Sequence, residues 1–362
     1  MTAGQRVFLA ATGQNRGKTT ASLGLTAAII GRGARTGFIK PVGQRYLVVE
    51  GTRADEDAVL MKAVFDLPDA LDDMSPVTLP RHFTTDYIMG QVDDDLEREV
   101  TDAAARVADG KDLLLIEGTG HAGVGAVVGL SNARVAALLE APVVIVSEGG
   151  VGRPIDEIVL NHALFERHGV RVIGALVNKV DVDSHPQLPE VLRRGLALHG
   201  IDLLGCIPYS ELLANPSLEL IATHLDGELL SGEAAPGRTV AHVAIGAMRA
   251  EHAAGLIQDR TLLITPGDRD DLIAMALELN AAGREQVVGL ILTGGFVPSA
   301  SVLEDLRSAG LFSYLAQADT YRTAQAVDEI LVKTHQTDTD KIATIIRLVS
   351  GAVDLPGFLS HL

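Results

Sequence analysis

The segment that most constrains this chain is residues 7–20, Val7-Phe8-Leu9-Ala10-Ala11-Thr12-Gly13-Gln14-Asn15-Arg16-Gly17-Lys18-Thr19-Thr20. An apolar, β-prone run stops at a small polar loop, Gly17-Lys18-Thr19 follows, and a helical pattern begins. Strand, loop and helix in that order are the parts of a phosphate-binding loop. Its backbone N–H groups turn inward around a polyphosphate, and a helix beginning near Gly17 adds its positive dipole end. Thr12, Gly13, Gln14, Asn15, Arg16, Gly17, Lys18, Thr19 and Thr20 are therefore the expected nucleotide contacts. Lys18 would reach the β/γ-phosphates and the Thr19 hydroxyl would ligate Mg²⁺. Gly17 leaves room for a phosphate oxygen where a Cβ would collide. The match to G-x-x-x-x-G-K-[ST] is imperfect, since Thr12 stands at the first glycine, with Ala11 before it and Gly13 after. The competing reading is a loop that merely starts a helix.

At 362 residues the chain should form two domains. Its hydrophobic content of 47% includes only 4% aromatics, so the core is one of Leu, Val, Ile and Ala, which suits parallel sheets covered by helices. A formal charge of −17 argues against nucleic acid or an anionic membrane as partner, because either requires a basic face. The single cysteine, Cys206, excludes a disulfide framework and a cysteine metal cluster; its place in the apolar run 203–207 predicts a buried thiol. The N-terminus lacks a signal-peptide pattern, and no run approaches the ~18 apolar residues of a membrane span. A soluble, cytoplasmic protein is the expectation.

Short apolar blocks at 7–11, 36–39, 113–116, 143–146, 172–177 and 203–207 read as buried strands, with helices expected at 21–31, 54–64 and 94–108. Each polar motif follows a strand's carboxyl end, which predicts an α/β parallel sheet with its ligand along that edge. From about 211 to 238 the pattern loosens, with Asn215-Pro216 and residues 234–237 as breakers. A second α/β unit follows, with strands at 240–245, 261–264 and 288–292 and helices at 270–281, 301–309 and 320–332. A final amphipathic helix covers 338–349. The expected division is a nucleotide-binding domain at 1–212, a linker at 213–237, a second domain at 238–336, and a C-terminal helix and tail at 337–362.

Glu117 ends four consecutive aliphatic residues, the form of a Walker B strand, and its carboxylate would hold Mg²⁺ opposite Thr19. An acidic helix cap is the alternative. The Asp55-Glu56-Asp57 cluster offers a second carboxylate or a solvated face. Lys40, fixed by Pro41 just past a strand, can reach an anion beside the γ-phosphate, or be an ordinary exposed lysine. Asn178-Lys179-Val180-Asp181 fits the guanine-reading N-K-x-D, although an Asn amide alone can read adenine. In the second half, Asp268-Arg269 and Thr293-Gly294-Gly295 form polar turns at strand ends. They suit a small anionic ligand or pure turn chemistry.

Together these residues carry a family likeness. The loop 12–19, Phe38-Ile39-Lys40-Pro41-Val42, Asp57 opening a helix, Ile116-Glu117-Gly118-Thr119-Gly120 and Asn178 resemble, in order and spacing, the dethiobiotin synthetase-like P-loop NTPases, relatives of the cobyrinic acid a,c-diamide synthases. The resemblance implies that Asp57 and Glu117 bind Mg²⁺, Asn178 binds adenine and Lys40 contacts a substrate carbamate. Asp268-Arg269 and Thr293-Gly294-Gly295 resemble the DRTGG domain. The two in succession resemble the N-terminal part of long bacterial phosphate acetyltransferases. Without the acetyltransferase domain, acetyl transfer is not expected.

Gln14 and Gln44 stand where dethiobiotin synthetases carry hydroxyl residues near substrate, so biotin synthesis is not expected. Nor is there a second cysteine for a cobyrinate-type glutaminase. The leading expectation is an Mg·ATP-binding sensor or regulator with slow ATPase activity, whose DRTGG domain binds a small anionic metabolite. An ATP-dependent carboxylate or carbamate ligase, with Lys18 and Lys40 catalytic, is the alternative, and a GTP-binding switch is the third. A homo-oligomer is expected.

Overall fold

The computed structural model describes residues 4–80, 82–92, 95–233, 238–281, 286–330 and 332–362; the breakers at 234–237, and the expected helix start at 94, lie outside them. Two compact units result: Met1–Tyr209 together with His335–Leu362, and Ser210–Thr334.

The first unit is built on β1 (Gln5–Ala11), β2 (Thr36–Ile39), β3 (Leu113–Glu117), β4 (Val143–Glu148), β5 (Val172–Val180) and β6 (Leu203–Pro208). They form one sheet in the order β6-β5-β4-β1-β3-β2, with every pair parallel. Consecutive residues of β1, β3 and β4 are buried, so both sheet faces are covered, which is why these strands read as unbroken apolar runs. The chain leaves β1 toward β2 and leaves β4 toward β5. Ligand crevices in open α/β sheets lie at such a reversal, outside the carboxyl ends of the strands. Helix α1 (Lys18–Ile30) follows β1, and α2 (Glu56–Phe65) follows a hairpin of Tyr46–Val49 and Thr52–Asp55.

The C-terminal helix is no detached tail. It spans Thr339–Ala352, lies against α1 and buries Ile345 and Val349. Val353 then bridges to Gly205 of β6. The chain therefore returns from the second unit to complete the first. A Cβ on Gly24 of α1 would run into the Val349 side chain. Gly24→Ala is expected to cost about 1–3 kcal/mol through overpacking, read from a denaturant melt; unchanged stability would remove this helix from α1.

The second unit contains β7 (Gly227–Ser231), β8 (His242–Ile245), β9 (Thr261–Pro266), β10 (Val287–Thr293) and β11 (Phe312–Ala316), ordered β7-β11-β10-β9-β8. β7 is antiparallel to β11 and the other pairs are parallel. One core places Leu263, Leu290 and Leu292 with Leu272, Ile273 and Leu306 of the helices Asp270–Ala281 and Ala300–Ala309. The other places Leu262, Ile264 and Ile291 with Leu218, Ile221 and Val327.

Two expectations change here. The segment 213–237 is not a bare linker, since the helix Leu218–His224 and strand β7 belong to this unit. β11 was hidden by Ser313 and Tyr314, which interrupt its apolar run. Both are buried with hydroxyls bonded, Ser313 Oγ donating to the Leu311 carbonyl at 3.1 Å and Tyr314 Oη to that of Leu225 at 2.9 Å. Cys206 is half-buried rather than buried, and burial still pushes its thiol above the usual range.

Candidate functional site

Strand ends and two helix starts assemble the site. Gly17 precedes α1 with φ 94°, a left-handed conformation that glycine adopts freely. A Cβ there would strike the Asn178 side chain, so the space that the sequence reserved for a phosphate oxygen is lined by an amide. Asn178, at the end of β5, is buried, and its Nδ2 donates to the Arg16 carbonyl at 3.4 Å. It thus supports the loop from behind. The Arg16 guanidinium is anchored by Glu148 and Glu157, and Glu148 also takes Lys179 Nζ at 2.6 Å. Thr12 Oγ1 donates to Glu157 Oε2 at 3.0 Å. Neither carboxylate anchor stood out in the sequence, because Glu148 is solitary and Glu157 sits beside Asp156 within a helix rather than at a strand end.

Lys40 follows β2 directly, its backbone N–H donating to the Met74 carbonyl at 2.8 Å. It is not the exposed lysine of the bland reading: only 4% of it is accessible. Nζ donates to Asp57 Oδ2 at 2.6 Å and to Glu117 Oε1 at 2.9 Å. Thr19 Oγ1 lies 2.9 Å from Asp57 Oδ1 and 3.3 Å from Glu117 Oε1. Asp55 caps α2 by accepting the Asp57 N–H at 3.0 Å, which sets Asp57 in the first helical turn. Glu117 is wholly buried at the end of β3, so it is not a helix cap. Ser22 Oγ donates to its Oε2 at 2.5 Å. Ser22 escaped the sequence reading, yet it lies three residues after Thr19 on α1 and so on the same helical face.

These contacts set the charges. Burial pushes the Glu117 carboxyl up to about 7, the neighbouring Lys40 opposing and Asp57 adding to it. For Asp57 burial works the other way from its partners, and the Lys40 ammonium holds it down at about 2. Lys40 itself is raised: burial disfavours its charge, but the two carboxylates outweigh that. Lys18 is buried, and burial together with Lys40 lowers it to about 8. Thr19, Asp57 and Glu117 suit Mg²⁺, which takes one or two carboxylates and keeps several waters. The Lys40 ammonium among their oxygens already marks a cation-binding position. Gln14 and Gln44 face each other at 3.5 Å at the surface.

In the second unit both turn motifs sit at carboxyl ends of adjacent strands, joined where the Gly267 N–H donates to the Thr293 carbonyl at 3.1 Å. Their groups are largely engaged within the protein. The Gly294 and Gly295 N–H groups donate to the Ala318 and Ala316 carbonyls at 2.8 and 3.0 Å. Thr293 Oγ1 lies 2.7 Å from Thr320 Oγ1. Arg269 forks onto Asp271 at 2.7 and 2.8 Å, while Asp268 is exposed. The Gly267, Gly294 and Gly295 amides therefore hold the turn.

Among the described residues no helix is long and apolar enough to cross a membrane. The architecture is α/β, a parallel-sheet P-loop domain with a smaller α/β domain, and P-loop NTPases as a class bind nucleotide with Mg²⁺. The chain is 28% identical over 331 residues to a phosphate acetyltransferase of Nitrosomonas europaea, covering 88% of this chain and 46% of that protein. It is 29% identical over 364 residues to that of Pseudomonas putida, covering 97% and 51%. The chain thus spans about half the length of the curated relatives it matches. The MinC–MinD cell division complex of Aquifex aeolicus superposes with a TM-score of 0.38 at 15% identity, over 58% of this chain and 84% of that one. Residues 5–217 match the AAA_26 model, an AAA domain, and residues 220–330 match the DRTGG domain. The chain belongs to the AAA_26 family, and its AAA domain is followed by a DRTGG domain.

Proposed function

We propose that this protein is an Mg·ATP-binding regulator that hydrolyses ATP slowly and whose DRTGG domain takes a small anionic metabolite. The observation that carries the reading is the cluster of Lys18, Thr19, Lys40, Asp57 and Glu117 at the strand ends beside the loop. Lys18 would meet the β/γ-phosphates and Thr19, Asp57 and Glu117 the metal. Asp268, Arg269 and Thr293 would contribute side chains to the second site, and Gly294 and Gly295 their amides after loop rearrangement, since those amides are bonded within the turn. A metabolite screen by thermal shift, with and without Mg·ATP, tests this. A metabolite that raises the melting temperature is expected, because ligands that bind only the native state stabilise it. Failure of Mg·ATP itself to stabilise the protein would refute the reading.

The ligase alternative draws on Lys18 and Lys40, two buried ammonium groups close enough to repel. A ligase would release ADP only with its substrate, whereas a regulator hydrolyses slowly whatever is added.

For the base, Asn178→Ala is expected to weaken ATP binding about tenfold, because it removes both a purine contact and the support behind the loop. Asp181, more than half exposed, accepts the Ser184 N–H at 3.0 Å. Asp181→Ala should leave ATP affinity within about twofold, since adenine has no use for that carboxylate. Preference for GTP in the wild type, reversed by Asp181→Ala, would instead support a GTP switch.

A further inference from the structure

We infer that the Lys40 ammonium is a tethered cation holding the place of Mg²⁺, and that arrival of the metal with nucleotide expels it, freeing it to grip an anionic co-ligand. This rests on the P-loop reading above and adds an order to it: metal–nucleotide first, anion second.

The geometry is specific. Asp57 and Glu117 come from a helix start and a strand end distant in sequence, and Glu117 has no solvent access. A wholly buried carboxylate and a half-buried one facing it are costly to keep charged together without a cation between them. Lys40 Nζ supplies it, touching one oxygen of each at 2.6 and 2.9 Å. Thr19, the metal-binding hydroxyl of such loops, reaches the same two carboxylates, and shares with Lys40 the same oxygen, Glu117 Oε1.

An ion ligated by Thr19, Asp57 and Glu117 must therefore sit against oxygens that Lys40 now occupies. Mg²⁺ binds oxygen at about 2.0–2.1 Å in a strict octahedron. A divalent ion and an ammonium within about 4 Å repel strongly in a site with little water. They compete for one place. Lys18 is itself buried and adjoins Thr19, which touches the carboxylates that hold Lys40, so the expelled ammonium and Lys18 would offer two positive groups where a further anion can bind. Without metal, Lys40 is held by the carboxylates and that anion has no partner. The tether also explains why this lysine is nearly inaccessible at the edge of a crevice.

The test uses Mn²⁺ alone as probe, followed by paramagnetic resonance, with wild-type protein, Lys40→Met and Lys40→Gln. Loss of the tethered cation should tighten Mn²⁺ binding in the absence of nucleotide at least tenfold. Metal-free variants should melt below wild type and recover with Mg²⁺ alone, while wild type responds little. Equal Mn²⁺ affinity in all three proteins overturns the exchange. A readout without variants is reductive methylation of wild type, located by mass spectrometry. Lys40 should resist methylation in metal-free protein and gain methyl groups with Mg·ADP; protection in both states overturns the exchange as well. Wild-type binding of Mg·ATP, measured alongside, separates the two ideas. If it is absent, the P-loop reading fails. If it is present while the Mn²⁺ affinities are equal, only the exchange fails.

Discussion

Lys18→Ala should abolish nucleotide binding, raising the dissociation constant at least about 100-fold, or about 3 kcal/mol. In the proposed site the lysine would donate charge-assisted bonds to the β/γ-phosphates, and such bonds are the strong ones. The fold should not suffer. Burial and the adjacent Lys40 already lower Lys18 to about 8, below the unfolded value, so its charge opposes folding. That penalty is fully present below about pH 8 and fades as the pH rises toward the unfolded value near 10.4. The variant should therefore melt at or above the wild-type temperature at pH 7, with the difference shrinking at pH 9.5. Calorimetric titration with Mg·ATP and melts at the two pH values check both halves. Wild-type affinity in the variant would sink the phosphate-binding assignment.

Glu117→Gln should separate metal binding from stability. The substitution keeps size and can keep the Ser22 contact but removes the charge that balances a cation. Nucleotide should then bind with little Mg²⁺ enhancement, and hydrolysis should fall by about two orders of magnitude or more, as when a charge-neutralising ion is misplaced. Stability should move the other way. Burial raises the Glu117 carboxyl to about 7. A carboxyl raised on folding contributes stability below its unfolded value, near 4.3, and loses it as pH rises through the folded value. Near pH 4, at and below the unfolded value, the wild-type side chain is protonated in the folded protein and largely so in the unfolded chain and resembles the amide, so the two proteins should melt alike. By pH 8 the variant should be more stable by about 1–3 kcal/mol. Loss of stability at pH 8 with full Mg²⁺-dependent binding would make Glu117 a structural residue.

The sheet strands of the first unit were legible because they are buried on both faces. Four or five consecutive aliphatic residues, as in Leu113-Leu114-Leu115-Ile116, need no partner to declare themselves. β7 and β11 were not legible. β7 is a short edge strand whose apolar residues are part-exposed, and β11 carries hydroxyls that become tolerable only once Leu225 and Leu311 offer carbonyls.

From sequence alone came the phosphate loop, Thr19 and Glu117 as candidate metal ligands, and the parallel α/β class, each resting on neighbours within a few residues. Tertiary structure alone decided the rest. Asp57 and Lys40 are ordinary charges in their own segments; a helix cap at Asp55 and the end of β2 carry them to Glu117, 60 and 77 positions away in the chain. The turn motifs of the second unit suited a ligand or turn chemistry equally, and the Gly294 and Gly295 amides bond to Ala318 and Ala316. The final amphipathic helix was legible, but that its apolar face lies against α1 was not. Periodicity and turn chemistry are local properties, whereas desolvation, charge pairing and the covering of a helix face depend on residues that only the folded chain brings together.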